Sequence, residues 1–209
     1  MGWTAGHFAA VLAMWIVMMA AMMLPSSYPM IRAFATINRR RRERSAPYVA
    51  TTVFILGYLV AWSAFSLAAT LAHWALERQG LVNVDMESAS AGFTAALFLA
   101  AGIYQWTPLK DACLTRCRST DGFILSEWRD GAAGAILMGL RHGQFCVGCC
   151  AGLMLLLFAV AMMDWRWVLA LALLVAIEKL LPMPAFWRHA IGAALTGTGI
   201  VLGVSLLVP

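Results

Sequence analysis

Long apolar blocks with almost no charged residues constrain this chain more than any other feature of its sequence. A helix needs about 20 mainly apolar residues to cross a hydrocarbon core of about 30 Å. The blocks do not alternate apolar and polar residues, so they do not fit the strands of a membrane β-barrel. We therefore predict an all-α fold, a polytopic transmembrane helical bundle of about six spans. The predicted spans cover residues 3–24, 48–74, 90–106, 131–163, 165–181 and 187–208.

The overall composition indicates the same class of protein. Of the 209 residues, 62% are hydrophobic and 12% are charged, whereas a soluble domain carries roughly 25% charged residues. The net charge of +5 does not indicate nucleic-acid binding, because no water-facing domain remains to carry a basic surface. We expect a single integral membrane domain over residues 1–209, with the lipid bilayer as its partner and no nucleic-acid partner.

The distribution of basic residues predicts the orientation of the bundle. Cytoplasmic loops of membrane proteins are enriched in Lys and Arg. Alternate loops carry most of the basic residues here, including the run Arg39–Arg42, Lys110 and Arg118. The loops between them contain Arg78 and Arg166. This asymmetry predicts a multi-pass protein with both termini on the non-cytoplasmic side.

The stretch from Arg141 to Cys150 contains the densest group of metal-binding side chains. If this stretch is helical, its candidate ligands fall within one sector about 100° wide. They are His142, Cys146, Cys149 and Cys150. Side chains three or four residues apart on a helix have Cβ atoms about 5–6 Å apart, so these sulfurs can share one ion. The spacing predicts a metal site on one face of the fourth span.

Two further sulfur clusters fall on the same predicted cytoplasmic side. Cys113 and Cys117 share one face if their segment is helical. Met14, Met18 and Met22 follow each other at steps of four residues in the first span. Thiolate and thioether are soft ligands that suit Cu(I), so copper is the ion we expect, with Met18 and Met22 as ligands beside the cysteines. A zinc site with three cysteines and one histidine also fits.

Simpler interpretations stay open for each of these clusters. Cysteine is among the most buried residue types, so packing alone explains any single cysteine. The methionines also fit as core or lipid-facing filler, and His142 fits as an interfacial residue. Glu178 and Lys179, near the inner end of the fifth span, fit a functional site, snorkelling towards water, or pairing with each other. Disulfides fit poorly, because the predicted cytoplasmic side keeps thiols reduced.

Three motifs in this chain resemble those of a known bacterial family. They are Ala21-Met22-Met23-Leu24-Pro25, Tyr104-Gln105-x-Thr107-Pro108-Leu109-Lys110-x-x-Cys113-Leu114-x-x-Cys117-Arg118 and Cys146-x-Gly148-Cys149-Cys150-x-x-Leu153-Met154, followed by Glu178-Lys179. The chain resembles, from the first span to the fifth, the bacterial predicted metal-binding integral membrane proteins. The resemblance implies the bacterial inner (cytoplasmic) membrane and metal ligands at the five cysteines, supported by His142 and the methionines. Thr120 and Ala151 stand where the family pattern has proline and tryptophan, and neither departure removes a candidate ligand.

These observations favour a membrane protein that binds a soft metal ion, copper before zinc, for metal handling, delivery or transport. They favour a binding protein over an enzyme. Two alternatives stay open, namely a membrane thiol–disulfide oxidoreductase that reduces quinone and the membrane subunit of a larger metalloenzyme complex. The expected partners are a membrane or periplasmic subunit or a second copy of the chain. Gly139-x-x-x-Gly143 permits close helix contact but is weak support for a homo-oligomer.

Overall fold

The fold is known from a computed structural model, which describes residues 3–43, 48–83, 90–159, 164–181 and 184–207. Within these ranges the chain forms helices and no strand, which confirms the all-α prediction. The helices are α1 (Ala5–Ser26), α2 (Tyr28–Glu43), α3 (Thr51–Arg78), α4 (Ala91–Tyr104), α5 (Pro108–Arg118), α6 (Thr120–Glu127), α7 (Gly131–Met154), α8 (Trp165–Leu180) and α9 (Ala185–Val204). The predicted span ends at residues 163 and 208 lie outside the described residues.

Three helical segments are long and apolar enough to cross a membrane. They are Ala5–Ser26, Thr51–Arg78 and Gly131–Phe158, the last being α7 together with a short 3-10 helix (Leu155–Phe158). These segments coincide with the first, second and fourth predicted spans, and the shorter apolar helix α4 coincides with the third. The count of six spans and the side on which the termini lie stay predictions.

Small residues let the backbone of α7 come into direct contact with α3. A Cβ added at Gly143 would lie 2.6 Å from the Cβ of Ala61, and one added at Gly139 would collide with the backbone of Phe54. Such collisions would force the two helices apart. The Gly139-x-x-x-Gly143 pattern therefore serves close helix contact within the chain.

The main core lies around α7. α7 packs mainly against α3 and α5 and also touches α4 and α8, while α1 packs against α3 and α8. α4 pairs with α9 at the side of this group. The core between the central helices includes Trp15, Met19, Tyr58, Cys146 and Leu153. The predicted metal ligands of α7 are thus in the interior of the bundle.

The polar connection between the third and fourth predicted spans folds as the short helices α5 and α6. Thr107 caps α5, because its hydroxyl accepts a hydrogen bond of 3.3 Å from the Lys110 amide. Pro108 occupies the first helical position, where its missing N–H costs nothing. Because α5 is helical, Cys113 and Cys117 lie one turn apart on the same face, as predicted.

Candidate metal centre

Four cysteine sulfurs lie together between α5 and α7. Cys146, Cys149 and Cys150 are buried on α7, and Cys117 reaches them from α5. Cys117 is close enough to Cys146 and Cys149 for the three thiols to influence one another. Cys150 is likewise next to Cys146 and Cys149, and its sulfur lies 3.4 Å from Cys149 Sγ. We call this group of four neighbouring cysteines the sulfur ring.

Cys113 lies beside the sulfur ring, over Gly148. A Cβ added at Gly148 would lie 2.6 Å from Cys113 Sγ. The hydroxyl of Tyr104 also lies next to Gly148 and donates a hydrogen bond to its main-chain oxygen. Gly148 is therefore the position at which α7 admits both α5 and α4 next to its cysteines.

Cys146 has polar partners from outside the ring. The Lys179 ammonium of α8 donates a hydrogen bond to Cys146 Sγ at 2.7 Å. The Tyr58 hydroxyl of α3 lies 2.9 Å from the same sulfur. Ser27 in turn donates a hydrogen bond of 2.7 Å to the Tyr58 hydroxyl. Helices that are far apart in sequence thus converge on this one sulfur.

Lys179 brings a positive charge into the core. Besides Cys146, its ammonium contacts Ser26 Oγ at 3.2 Å and Met23 Sδ at 3.6 Å. A buried ammonium is costly unless a negative group lies beside it. Of the three atoms that it contacts, the Cys146 sulfur is the one that can become an anion. The contact therefore favours a thiolate at Cys146.

Glu178 has a different partner from its neighbour Lys179. Its carboxylate pairs with Lys110 Nζ at 2.7 Å, and the two side chains are 6% and 0% exposed. Its main-chain oxygen accepts a hydrogen bond of 2.7 Å from Arg118 Nε. Snorkelling and mutual pairing of Glu178 and Lys179 are therefore both wrong. The reason is that α5 supplies a competing cation for Glu178, while Lys179 faces the sulfur ring.

The remaining predicted ligands, His142, Met22 and Met18, have contacts that differ from those of the cysteines. His142 is 1% exposed, and its ring centroid lies 5.7 Å from that of Tyr58 and 5.5 Å from that of Phe123. In the part of the chain that the structure describes, neither ring nitrogen of His142 has a hydrogen-bond partner. Met22 is buried in the main core, and Met18 packs at its edge.

Sequence reasoning missed two neighbours of the site, Tyr58 and the thioether of Met23. The i+4 stripe selected Met18 and Met22, whereas the buried face of α1 includes Met19 and Met23. Met23 stood in the sequence motif, so a signal for it was available. No sequence signal indicated Tyr58, because it lies 88 residues before Cys146.

The two thiols of α5 are held in their protonated form. The hydrogen bond with Cys146, and then burial, raise the pKa of Cys117 above its usual range. Burial raises the pKa of Cys113, against the opposing effect of Arg116. A metal ion must therefore displace a proton in order to bind either residue as a thiolate.

The donor set fits a soft ion, although the side chains are not yet arranged around one. Among the described residues, no three His, Cys, Asp or Glu side chains are placed to hold a common metal ion. Metal–thiolate bonds of about 2.3 Å put two sulfurs about 3.8 Å apart at a tetrahedral angle, close to the 3.4 Å between Cys149 and Cys150. Loss of S–H protons would supply thiolates, which suit Cu(I).

Comparison with known proteins connects this chain to a copper-related family. Residues 12–202 match the model of a protein family described as PpoB2, copper chaperone. The matched range includes the whole sulfur ring, Lys179 and the buried methionines of α1. No curated protein and no solved structure matches the chain.

Proposed function

The chain belongs to the PpoB2 copper chaperone family, and we propose from this that it binds Cu(I) at the sulfur ring and delivers it to a recipient protein. One observation carries the proposal, namely the position of Cys117 of α5 beside the cysteines of α7. Thiolates suit both Cu(I) and zinc, and the family match favours copper. The Met23 thioether, beside Lys179, adds another soft donor at the edge of the ring.

Loading of this site exchanges protons for copper. The thiols of the sulfur ring other than Cys146 carry protons, and a Cu(I) ion displaces one of these protons when it binds. Lys179, at 2.7 Å from Cys146 Sγ, stabilises the first thiolate before copper arrives. The Tyr58 hydroxyl holds the same sulfur in place. Release to a recipient reverses these exchanges, so the ring can bind and give up copper without any change of oxidation state.

We place the sulfur ring towards the cytoplasmic face of a multi-pass protein of the bacterial inner membrane. Three helical segments have the length and hydropathy of membrane spans. Basic residues make their contacts at the end of the bundle where α5 lies, since Arg118 binds the main chain of Glu178 and Arg188 pairs with Asp111. Basic residues mark the cytoplasmic side of membrane proteins.

Equilibrium Cu(I) binding to the full chain in detergent tests this function. The wild type and a Cys146→Ser/Cys149→Ser/Cys150→Ser variant are titrated against a coloured Cu(I) chelator under reducing conditions, with elemental analysis of both proteins. We expect near-stoichiometric copper in the wild type and none in the variant. Thermal unfolding checks that the variant is folded. Failure of the wild type to bind Cu(I), or equal binding by both proteins, would contradict the proposal.

A further inference from the structure

A column of buried polar side chains runs along α3 away from the sulfur ring. Its members follow at steps of three or four residues and are each at most 1% exposed: Tyr58, Trp62, Ser66, Thr70 and His73. At about 1.5 Å per residue, the column from Tyr58 to His73 is about 22 Å long. That length is most of a hydrocarbon core of about 30 Å. Polar side chains at this depth mark functional sites and ion pathways.

Several polar atoms of the column and its surroundings have no hydrogen-bond partner among the described residues. In the ranges that the structure describes, no hydrogen-bond partner is found for Trp62 Nε1, Ser66 Oγ or His73 Nδ1. The same holds for Trp15 Nε1 on the neighbouring α1. Unpartnered buried polar groups are costly, and each one in a native structure requires an explanation. Of these atoms, Ser66 Oγ and His73 Nδ1 can offer a lone pair to a cation, whereas an indole N–H is only a donor. The contact between α1 and α3, which we call the seam, therefore contains two unused acceptor atoms.

α1 contributes soft donors to the same seam. Met19 and Met23 are each 0% exposed and belong to the core cluster that contains Tyr58 and Trp62. Met23 Sδ lies 3.6 Å from Lys179 Nζ, which contacts the Cys146 sulfur of the ring. Thioethers are soft ligands that suit Cu(I). The seam is therefore continuous with the sulfur ring in both space and ligand chemistry.

Two histidines stand at the other end of the column. His73 and His7 pack on the same indole, with ring centroids 5.7 Å and 4.8 Å from that of Trp3. Trp3 Nε1 donates a hydrogen bond of 2.7 Å to Glu77 Oε2, which fixes the indole between them. His7 is exposed and His73 is buried. Imidazole is a copper ligand, so an ion arriving from this side meets His7 first and His73 next.

We propose that His73, with His7 at its entrance, forms a second copper-binding site. Cu(I) passes between this site and the sulfur ring along the α1–α3 seam. The ion stays Cu(I) throughout and exchanges imidazole and thioether donors for thiolates. This inference rests on the proposed function, because the seam leads to a copper site only if the sulfur ring binds Cu(I). On this route the chain moves copper across most of the membrane.

Entry of Cu(I) into proteoliposomes tests the route. The full chain is reconstituted with a Cu(I)-responsive dye inside the vesicles, and entry is compared among the wild type, His73→Ala, Ser66→Ala and His189→Ala. His189, an exposed histidine of α9, is the matched control. We expect His73→Ala to slow entry by about tenfold, the loss typical of damage to a metal site. Ser66→Ala slows entry less, and His189→Ala leaves it unchanged.

Cu(I) binding to the same proteins in detergent separates this inference from the proposed function. We expect the sulfur ring of His73→Ala to keep its wild-type affinity, which also shows that the variant is folded. Wild-type entry rates in both His73→Ala and Ser66→Ala would overturn the route. A wild type that binds Cu(I) in detergent but admits none to vesicles would also overturn it, while the proposed function stands. A wild type that binds no Cu(I) overturns both.

Discussion

Cys146 contacts more charged and polar groups than any other sulfur described above. It contacts the Lys179 ammonium, the Tyr58 hydroxyl and two cysteines of the ring. The other buried lysine, Lys110, is already matched by Glu178. An ammonium in a low-dielectric interior requires its own anion, so the charge state of Cys146 is coupled to the position of Lys179.

Replacement of Cys117 by serine tests whether α5 supplies a ligand. Cys117 closes the sulfur ring, whereas Cys113, one turn earlier, packs over Gly148. We expect Cys117→Ser to weaken Cu(I) binding by more than the roughly tenfold loss typical of a supporting residue. Cys113→Ser removes a thiol from the same helix face and should change the affinity little. Chelator competition measures both affinities, and the opposite ranking would show that Cys113 is the α5 ligand.

The thioether of Met23 is expected to contribute to copper affinity. Met23→Leu keeps the volume of this buried side chain and costs less than about 1.5 kcal/mol of stability, but it removes a soft sulfur beside Lys179. Met30 is equally buried in the separate core cluster around Phe34, so Met30→Leu is the matched control. Cu(I) affinity should fall in Met23→Leu only. Equal affinities would make Met23 a packing residue.

The contact between α3 and α7 positions the sulfur ring relative to Tyr58. It depends on glycines, because a Cβ at Gly139 would collide with the Phe54 backbone. Two helices in direct backbone contact cannot separate by a small amount without losing the packing around His142, which lies against Tyr58 and Phe123. The close packing of α3 and α7 therefore helps to position the sulfur ring, in addition to the contacts of its own side chains.

Alanine substitutions at two glycines measure this dependence. We expect Gly139→Ala to destabilise the protein by about 1–3 kcal/mol, as overpacking does. At Gly197 of α9 a Cβ meets nothing within 4 Å, so Gly197→Ala should stabilise by about 0.5–1 kcal/mol through helix propensity. Thermal unfolding in detergent compares the two. A Gly139→Ala variant as stable as Gly197→Ala would show that the backbone contact is loose.

Helix positions were predictable from the sequence, whereas most contacts between helices were not. Block length predicted α1, α3 and α7, whereas the segment that forms α5 and α6 was predicted only as a polar connection. The grouping of the three α7 cysteines followed from helical periodicity alone. The approach of Cys117 did not, because sequence spacing contains no information on the distance between two helices.

The buried face of α1 shows why the methionines were assigned less well. An amphipathic helix reveals its buried face by its polar residues, but α1 is apolar on all sides. The stripe through Met18 and Met22 was therefore as plausible as the buried stripe through Met19 and Met23. Similarly, the Lys110 partner of Glu178 lies 68 residues away, and no local pattern indicates such a pair.

The buried ion pair of Lys110 and Glu178 connects α5 to α8 and thereby helps to position Cys117, which lies on α5. We expect Lys110→Met to destabilise the protein by about 3–5 kcal/mol, because it leaves an uncompensated buried carboxylate. The double variant Lys110→Met/Glu178→Leu removes both charges and should recover most of this loss. Thermal unfolding measures the cycle. A double variant no more stable than the single one would mean that the pair's hydrogen bonds, rather than its charge balance, stabilise the fold.

The orientation of the whole molecule can be tested with two new cysteines. Leu125 of α6 and Leu207, just after α9, are 85% and 81% exposed. α6 directly follows the basic helix α5, so positive charge on the cytoplasmic side predicts that Leu125→Cys reacts with an impermeant maleimide in inverted vesicles. Leu207→Cys should react in intact spheroplasts. The unsubstituted chain gives the background, and the reverse pattern would invert the proposed topology.

Lys179 also affects the charge balance of the site after a metal ion binds. Once Lys110 is matched by Glu178 and Lys179 by a Cys146 thiolate, the interior is electroneutral before any metal arrives. A monovalent ion restores neutrality by expelling a single proton from the remaining thiols, whereas a divalent ion must expel a second. Uncompensated charge is expensive in a low-dielectric interior. The resident lysine therefore adds one thiolate to the site without adding net charge, so a monovalent ion such as Cu(I) can be held between two thiolates while the interior stays electroneutral.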